Sequence, residues 1–212
     1  MYISKLQFIA PQWVDRSFAP GLEEIIEAGV DWVQVRVKDM PIDAWVDIAT
    51  LAVDICKRRD VTCIINDNPY VAMRAGAHGV HLGSNDMAPS EARKLLGSQA
   101  IIGGTANKDE DMQYLVGQGV DYIGLGPYRY TTTKKDLSPL LGLEGYQHIM
   151  TRFRGENKRM PVVAIGGIEP GDVASIMATG VDGIAASGTI TRAADKKAVI
   201  ASLWANIRQN NL

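Results

Sequence analysis

An α/β fold of the (β/α)8 TIM-barrel type, with a closed parallel sheet, is what this sequence predicts, and three observations carry the prediction. Short β-branched runs alternate with longer helical stretches, and eight such pairs follow one another along 212 residues with no linker between them. The strand candidates read as nearly continuous apolar runs, the mark of strands covered on both faces. Four helix-to-strand junctions also look alike: Ala28-Gly29-Val30-Asp31, Ala75-Gly76-Ala77-His78, Gln118-Gly119-Val120-Asp121 and Thr179-Gly180-Val181-Asp182. In each, a glycine suits a left-handed helix stop and an apolar residue leads into the next strand. They recur roughly 45 to 60 residues apart, the trace that βα units of one sheet leave. A doubly wound open sheet is the structural alternative. Residues 1–212 are expected to form one domain, with short loops on the face away from the chemistry, because the length is low for a barrel.

Taken in order, the strands are expected at Leu6 to Ala10, Trp32 to Val37, Thr62 to Asn66, Gly79 to Gly83, Ala100 to Ala106, Tyr122 to Gly126, Val162 to Gly167 and Gly183 to Gly188. The helix that begins at Pro41 carries Trp45, Ile48, Leu51, Ala52 and Ile55 at spacings of three and four, and the basic Lys57, Arg58 and Arg59 complement its C-terminus. The other helices are expected at Gly21 to Ala28, Pro69 to Ala75, Pro89 to Leu96, Lys108 to Gly117, Leu143 to Phe153, Pro170 to Ala178 and Ala193 to Gln209.

Composition narrows the class. A hydrophobic content of 46% supports one sizeable core, and 22 basic residues against 24 acidic ones argue against a nucleic-acid-binding surface. Cys56 and Cys63 lie in apolar contexts without CxxC spacing, as small buried packers do. The N-terminal apolar run is too short for a signal peptide, and nothing reaches the ~18 apolar residues of a membrane span. A soluble cytoplasmic protein is expected, and the sequence leaves its oligomeric state open.

In a barrel, chemistry collects at the C-terminal ends of the strands. Strand 2 ends in Gln34, Arg36 and Lys38, whose period of two puts them on one inward face. Two inward cations need an anion, either a ligand or a carboxylate of a neighbouring strand. Asp67 and Asp86 follow strands 3 and 4, where two carboxylates from separate loops suit magnesium. Asp67 suits a cap for the helix at Pro69 equally well, and Asp86 also stands near a helix start. After strand 5, Gly103 and Gly104 are expected to let a ligand approach the backbone, with the Thr105 hydroxyl nearby. The stretch Tyr122 to Asp136 runs from a buried strand through Gly-Pro into Thr131, Thr132, Thr133, Lys134 and Lys135, a loop suited to anions. Gly166 and Gly167 after strand 7, and Ser187 and Gly188 after strand 8, suit a phosphate cup. Together these groups equip the site for two phosphate-bearing ligands, one of them chelated by metal.

The segments QVRVKD, IIND, GVHLGSNDM, IIGGTAN, YIGLGPYRYTTTKKD, VVAIGGI and GIAASGT, in this order and spacing, resemble the thiamine phosphate synthase family from Gln34 through Ile190. The resemblance implies a Mg2+-dependent transferase that joins an aminopyrimidine methyl diphosphate to a thiazole phosphate, giving thiamine phosphate and pyrophosphate. It implies Asp67 and Asp86 as metal ligands, with Arg36, Lys38, Asn66 and Lys134 on the diphosphate. Gln34 and Thr105 would approach the aminopyrimidine, Thr131 and Thr133 the thiazole phosphate, and Gly167, Ser187 and Gly188 its phosphate. The chain departs from the family pattern at Thr105, usually Ser, at Val37, usually Glu, and at Ser187-Gly188, usually an apolar-Ser pair. A related tautomerase carries a catalytic His in the strand 5 loop, where this chain has Asn107, and lacks the metal carboxylates.

The implied reaction is dissociative: Lys38, Arg36, Lys134 and magnesium stabilise the departing pyrophosphate and the thiazole nitrogen captures the pyrimidine methylene cation. No protein nucleophile is needed, and His81, between Val80 and Leu82, reads as a packed or hydrogen-bonding residue. Tyr128, Arg129, Tyr130 and Lys135 read as rim residues. The competing functions are a tautomerase-like barrel, a phosphate-sugar aldolase or isomerase using Lys38, and a non-catalytic barrel that binds thiazole phosphate.

Overall fold

The computed structural model describes residues 3–12, 18–130, 139–156 and 159–209. Its strands are β1 (Leu6–Pro11), β2 (Trp32–Arg36), β3 (Thr62–Asn66), β4 (Gly79–Leu82), β5 (Ile101–Ala106), β6 (Tyr122–Leu125), β7 (Val162–Ile165) and β8 (Gly183–Ala186). All pair in parallel in sequence order, and β8 returns to β1, so the sheet closes into a barrel. The open-sheet alternative is thereby excluded.

Around the barrel stand α1 (Phe18–Glu27), α2 (Ile42–Arg58), α3 (Pro69–Ala75), α4 (Pro89–Leu96), α5 (Asp109–Gly117), α6 (Gly142–Glu156) and α7 (Val173–Met177). They are followed by the short α8 (Gly188–Thr191) and by α9 (Lys196–Gln209). Connections from helix to strand take only three to five residues. The four repeated junction glycines all have positive φ, from 64° at Gly76 to 106° at Gly29. At Gly76 the left-handed backbone turns the N–H back onto the Ala72 and Met73 carbonyls and ends α3.

Two layers of side chains explain why the strands are apolar on both faces. Outward residues such as Val33, Val35, Ile65, Val80, Ile102 and Ile123 join the helices in the main core. Inward residues form a second cluster from Ile9, Trp32, Ile64, Ile101, Tyr122, Val163 and Ala185. Trp32 meets Tyr122 edge to face, with ring centroids 4.8 Å apart. Glycine at position 103 makes room for this pair, because a Cβ there would stand 2.2 Å from a Tyr122 ring carbon. Above that plug the interior turns polar, and the site begins.

Candidate active site

β2 places Gln34 and Arg36 two residues apart on its inward face, with Lys38 just beyond, as the period of two requires. Burial pulls the Arg36 guanidinium below its ordinary pKa, and the charge of Asp67 acts in the opposite direction. The Lys38 ammonium forms an ion pair with Asp67 from the end of β3. One of the two inward cations therefore takes the carboxylate of a neighbouring strand, one of the partners the sequence allowed.

Asp67 is not the cap of α3. That role falls to Asn68, whose Oδ1 accepts the Tyr70 and Val71 N–H groups at 3.0 and 3.2 Å. With the helix capped from the next position, Asp67 adopts a left-handed backbone (φ 67°) and lines the cavity. Asp86 does not cap α4 either, since the N-cap there is Ala88. Its Oδ2 accepts the Gly83 N–H at 2.7 Å, closing the turn after β4. Burial is the main cause that pushes the Asp86 carboxyl up to about 6; the Gly83 N–H opposes it, the charge and hydrogen bond of Asp67 add to it, and Lys38 lowers it. The two carboxylates therefore adjoin, with the Lys38 ammonium beside them. The carboxylate pair fits a divalent ion completed by water and substrate oxygens. Among the described residues no group of three His, Cys, Asp or Glu side chains forms a fuller cage.

One cavity of about 960 Å³ brings together Gln34, Arg36, Lys38, Asn66, Asp67, Asp86, Thr105, Gly167, Ser187 and Gly188. Its size suits one or two small-molecule ligands. Thr131, Thr133 and Lys134, with Thr132 and Lys135, lie outside the described residues.

The strand 5 glycines serve a different purpose from the one expected. Gly103 faces the Tyr122 ring, and a Cβ at Gly104 would meet Leu115 of α5 at 2.4 Å, so both glycines admit packing side chains and not a ligand. The glycines after β7 lie under the segment that follows β6. Tyr128 and Arg129 donate their N–H groups to the Ile165 and Gly166 carbonyls at 2.9 and 3.0 Å, continuing the pairing of β6 with β7. Gly166 and Gly167 have φ of 99° and 67°, and a Cβ at Gly167 would meet Arg129 Cγ at 2.4 Å. Arg129 then reaches Asp172 at 2.7 Å and stacks on Tyr128, so it ties the rim down.

The profile described as thiamine monophosphate synthase matches residues 6–190, from β1 to α8. The chain belongs to this family. A thiamine-phosphate synthase of Phocaeicola vulgatus is 47% identical over 191 residues, covering 90% of this chain and 92% of the relative. One from Flavobacterium johnsoniae is 42% identical over 200 residues, 94% of each chain. Among solved structures, a thiamine phosphate pyrophosphorylase from Pyrococcus furiosus superposes with a TM-score of 0.83 at 28% identity, over 97% of this chain and 96% of that one.

Within this thiamine phosphate synthase barrel, one residue that lines the cavity and two buried beneath it were not given a polar role from the sequence. Gln7 is a buried amide in the otherwise apolar run Leu6-Gln7-Phe8-Ile9, and that break in the pattern was the available signal. Tyr122 reads as an apolar strand residue, yet its hydroxyl lies 2.8 Å from His81 Nδ1. Arg192 lines the cavity beside Ser187 because α8, a single turn, carries it back over Gly188. His81 is buried with its ring nitrogens held by Tyr122 and Thr105, in keeping with a hydrogen-bonding role.

Proposed function

We propose that the protein is a transferase that joins an aminopyrimidine methyl diphosphate to a thiazole phosphate, releasing thiamine phosphate and pyrophosphate. The supporting observation is that Arg36, Lys38, Asn66, Asp67 and Asp86 share one cavity with Gly167, Ser187 and Gly188 of the opposite strand ends. Arg36, Lys38 and the Asn66 amide, with Lys134, donate to the diphosphate and stabilise its charge as the carbon–oxygen bond breaks. Gln34 and Thr105 orient the aminopyrimidine. Gly167, Ser187 and Gly188 receive the thiazole phosphate, with Thr131 and Thr133 on the same ligand, so its ring nitrogen faces the pyrimidine methylene and forms the new carbon–nitrogen bond. Asp67 and Asp86 would hold Mg2+, which supplies charge neutralisation on the leaving group. Catalysis then rests on positioning and preorganised charge. A cytoplasmic location belongs to this reading; no helix among the described residues is long and apolar enough to cross a membrane.

The competing readings fit less well. Lys38 is half-exposed and ion-paired with Asp67, the opposite of the desolvated amine that Schiff-base chemistry uses. Asn107, at the tautomerase histidine position, donates its side-chain N–H to the Gly126 carbonyl and so ties the β5 and β6 ends together.

Supplying both phosphorylated substrates with Mg2+ is expected to yield thiamine phosphate and pyrophosphate in equal amounts, and no product in the presence of metal would sink the proposal. Asp67→Ala and Lys134→Ala are each expected to lower turnover on the order of 10² to 10³-fold while keeping a cooperative thermal melt. Near-normal turnover in either variant would remove that residue from the machinery.

A further inference from the structure

A buried chain of hydrogen bonds crosses the barrel at the floor of the cavity. Gln34 Nε2 donates to Gln7 Oε1 (2.9 Å), and Gln7 Nε2 donates to the Tyr122 hydroxyl (3.3 Å). The Tyr122 oxygen lies 2.8 Å from His81 Nδ1, and His81 Nε2 lies 2.8 Å from Thr105 Oγ1. Five side chains from β2, β1, β6, β4 and β5 are linked; the two ends of the chain, Gln34 and Thr105, line the cavity, and the edge of the His81 ring between them also borders it.

Counting protons gives this chain a direction. Tyr122 accepts from Gln7, so its own O–H points at His81 Nδ1, which must then be bare. The neutral ring carries its proton on Nε2 and donates to Thr105 Oγ1, leaving the Thr105 hydroxyl proton for the cavity. A doubly protonated ring would set the Tyr122 proton against donors on both sides. Burial holds the Tyr122 phenol well above its ordinary pKa, with the Gln7 contact opposing in part, so the hydroxyl keeps its proton. The reverse direction needs both amides flipped. It would turn the Gln34 NH2 group toward the cavity, where Arg36 stands two residues along the same inward face, and the positive charge favours the oxygen end instead.

We propose that this relay locks His81 as the neutral Nε2–H tautomer, so that the site presents a fixed acceptor, Gln34 Oε1, and a fixed donor, the Thr105 hydroxyl. His81 and Tyr122 are thus positioning residues that act through Gln34 and Thr105. The complement is a flat heterocycle with an amino N–H and an unprotonated ring nitrogen, as an aminopyrimidine has. This choice of ligand rests on the synthase reading, whereas the tautomer does not.

Nitrogen-15 labelling of the histidines, with His81 assigned through His81→Gln, reads the tautomer directly by long-range proton–nitrogen correlation in the unmutated protein. A bare Nδ1 with a protonated Nε2 is expected; a protonated Nδ1 or a doubly protonated ring at neutral pH overturns the relay. Tyr122→Phe deletes the central hydroxyl and is expected to populate the second tautomer. It should also raise the KM for the pyrimidine diphosphate about five- to tenfold, with the KM for thiazole phosphate unchanged within about twofold. An unchanged tautomer, an unchanged pyrimidine KM, or an equal rise in both KM values overturns the positioning role. Absence of thiamine phosphate synthesis would defeat the synthase reading alone, because the tautomer measurement needs no turnover.

Discussion

Asp86 accepts the Gly83 N–H and adjoins Asp67, so its ionisation sets two carboxylates together in a half-buried setting. Its folded pKa, about 6, lies above the ordinary 3.8, so between these values the folded protein binds a proton that the unfolded chain has lost. The contribution of this group to stability therefore falls as pH rises from 4 toward 6 and stays unfavourable above it. Without added metal, Asp86→Asn is expected to be the more stable protein at pH ~8, by about 1 kcal/mol once solvent screening of a half-exposed group is allowed for. Thermal melts across pH check this: the advantage should shrink as the pH is lowered toward 4, and a constant difference would argue against carboxylate repulsion as its source. At the opposite strand ends, a Cβ on Gly188 would come within 2.2 Å of the Arg192 guanidinium, which shows how closely that cation covers the glycine. Arg192→Ala is expected to raise the KM for thiazole phosphate about tenfold and to leave that for the pyrimidine diphosphate unchanged, which steady-state kinetics would resolve. Strand-end position was enough to put Asp67 and Asp86 at the same rim, where both line the cavity. Which residue caps α3 was not legible in the sequence, because Asp67 and Asn68 have equivalent capping chemistry and only the backbone decides between them.

At the scale of elements, periodicity located all eight strands, and the discrepancies gather at the strand ends. β7 and β8 each stop two residues short of the apolar pattern, at Ile165 and Ala186. After β7 the chain enters the positive-φ pair Gly166-Gly167, and after β8 Ser187 opens the four-residue α8. That helix falls between the strand expected to end at Gly188 and the helix expected from Ala193, and its three β-branched residues, Thr189, Ile190 and Thr191, gave its extent no helical signal. Pro170 to Ala178 likewise divides into a 3-10 turn over Pro170–Asp172 and the short α7. The glycines of β5 show a further limit, since sequence reveals that a side chain is missing but not what occupies its space. Gly103→Ala is expected to cost about 1–3 kcal/mol, because its Cβ would press on a Tyr122 ring already wedged against Trp32. Gly117→Ala is the control: a Cβ there meets nothing within 4 Å, and the residue lies within α5. Chemical denaturation should show a large loss for the first and a neutral or slightly positive change for the second; equal losses would contradict this account of Gly103.

For the molecule as a whole, a net charge of -2 conceals a site in which charge is closely matched. Among the described residues, Arg36, Lys38, Arg129 and Arg192 stand with Asp39, Asp67, Asp86 and Glu169 around one cavity, four cations against four anions. Adding a divalent cation alone leaves the adjoining Arg36 and Lys38 facing excess positive charge, and adding pyrophosphate alone brings a multiply charged anion against the two carboxylates. Supplying both restores the balance, so each ligand should bind far better in the presence of the other. Such coupling is read in the thermal stability of the whole barrel, because a ligand at about 100 times its Kd stabilises the folded state by about 2.7 kcal/mol. For a protein of this size that corresponds to a Tm rise of roughly 5–10 °C. Mg2+ or pyrophosphate added singly is expected to shift Tm by no more than a degree or two, and the pair together by the larger amount. Asp67→Asn should abolish the synergy while leaving the weak response to pyrophosphate alone. Additive shifts in the unmutated protein would mean that metal and diphosphate bind independently, and the shared-cavity account of the two carboxylates would fail.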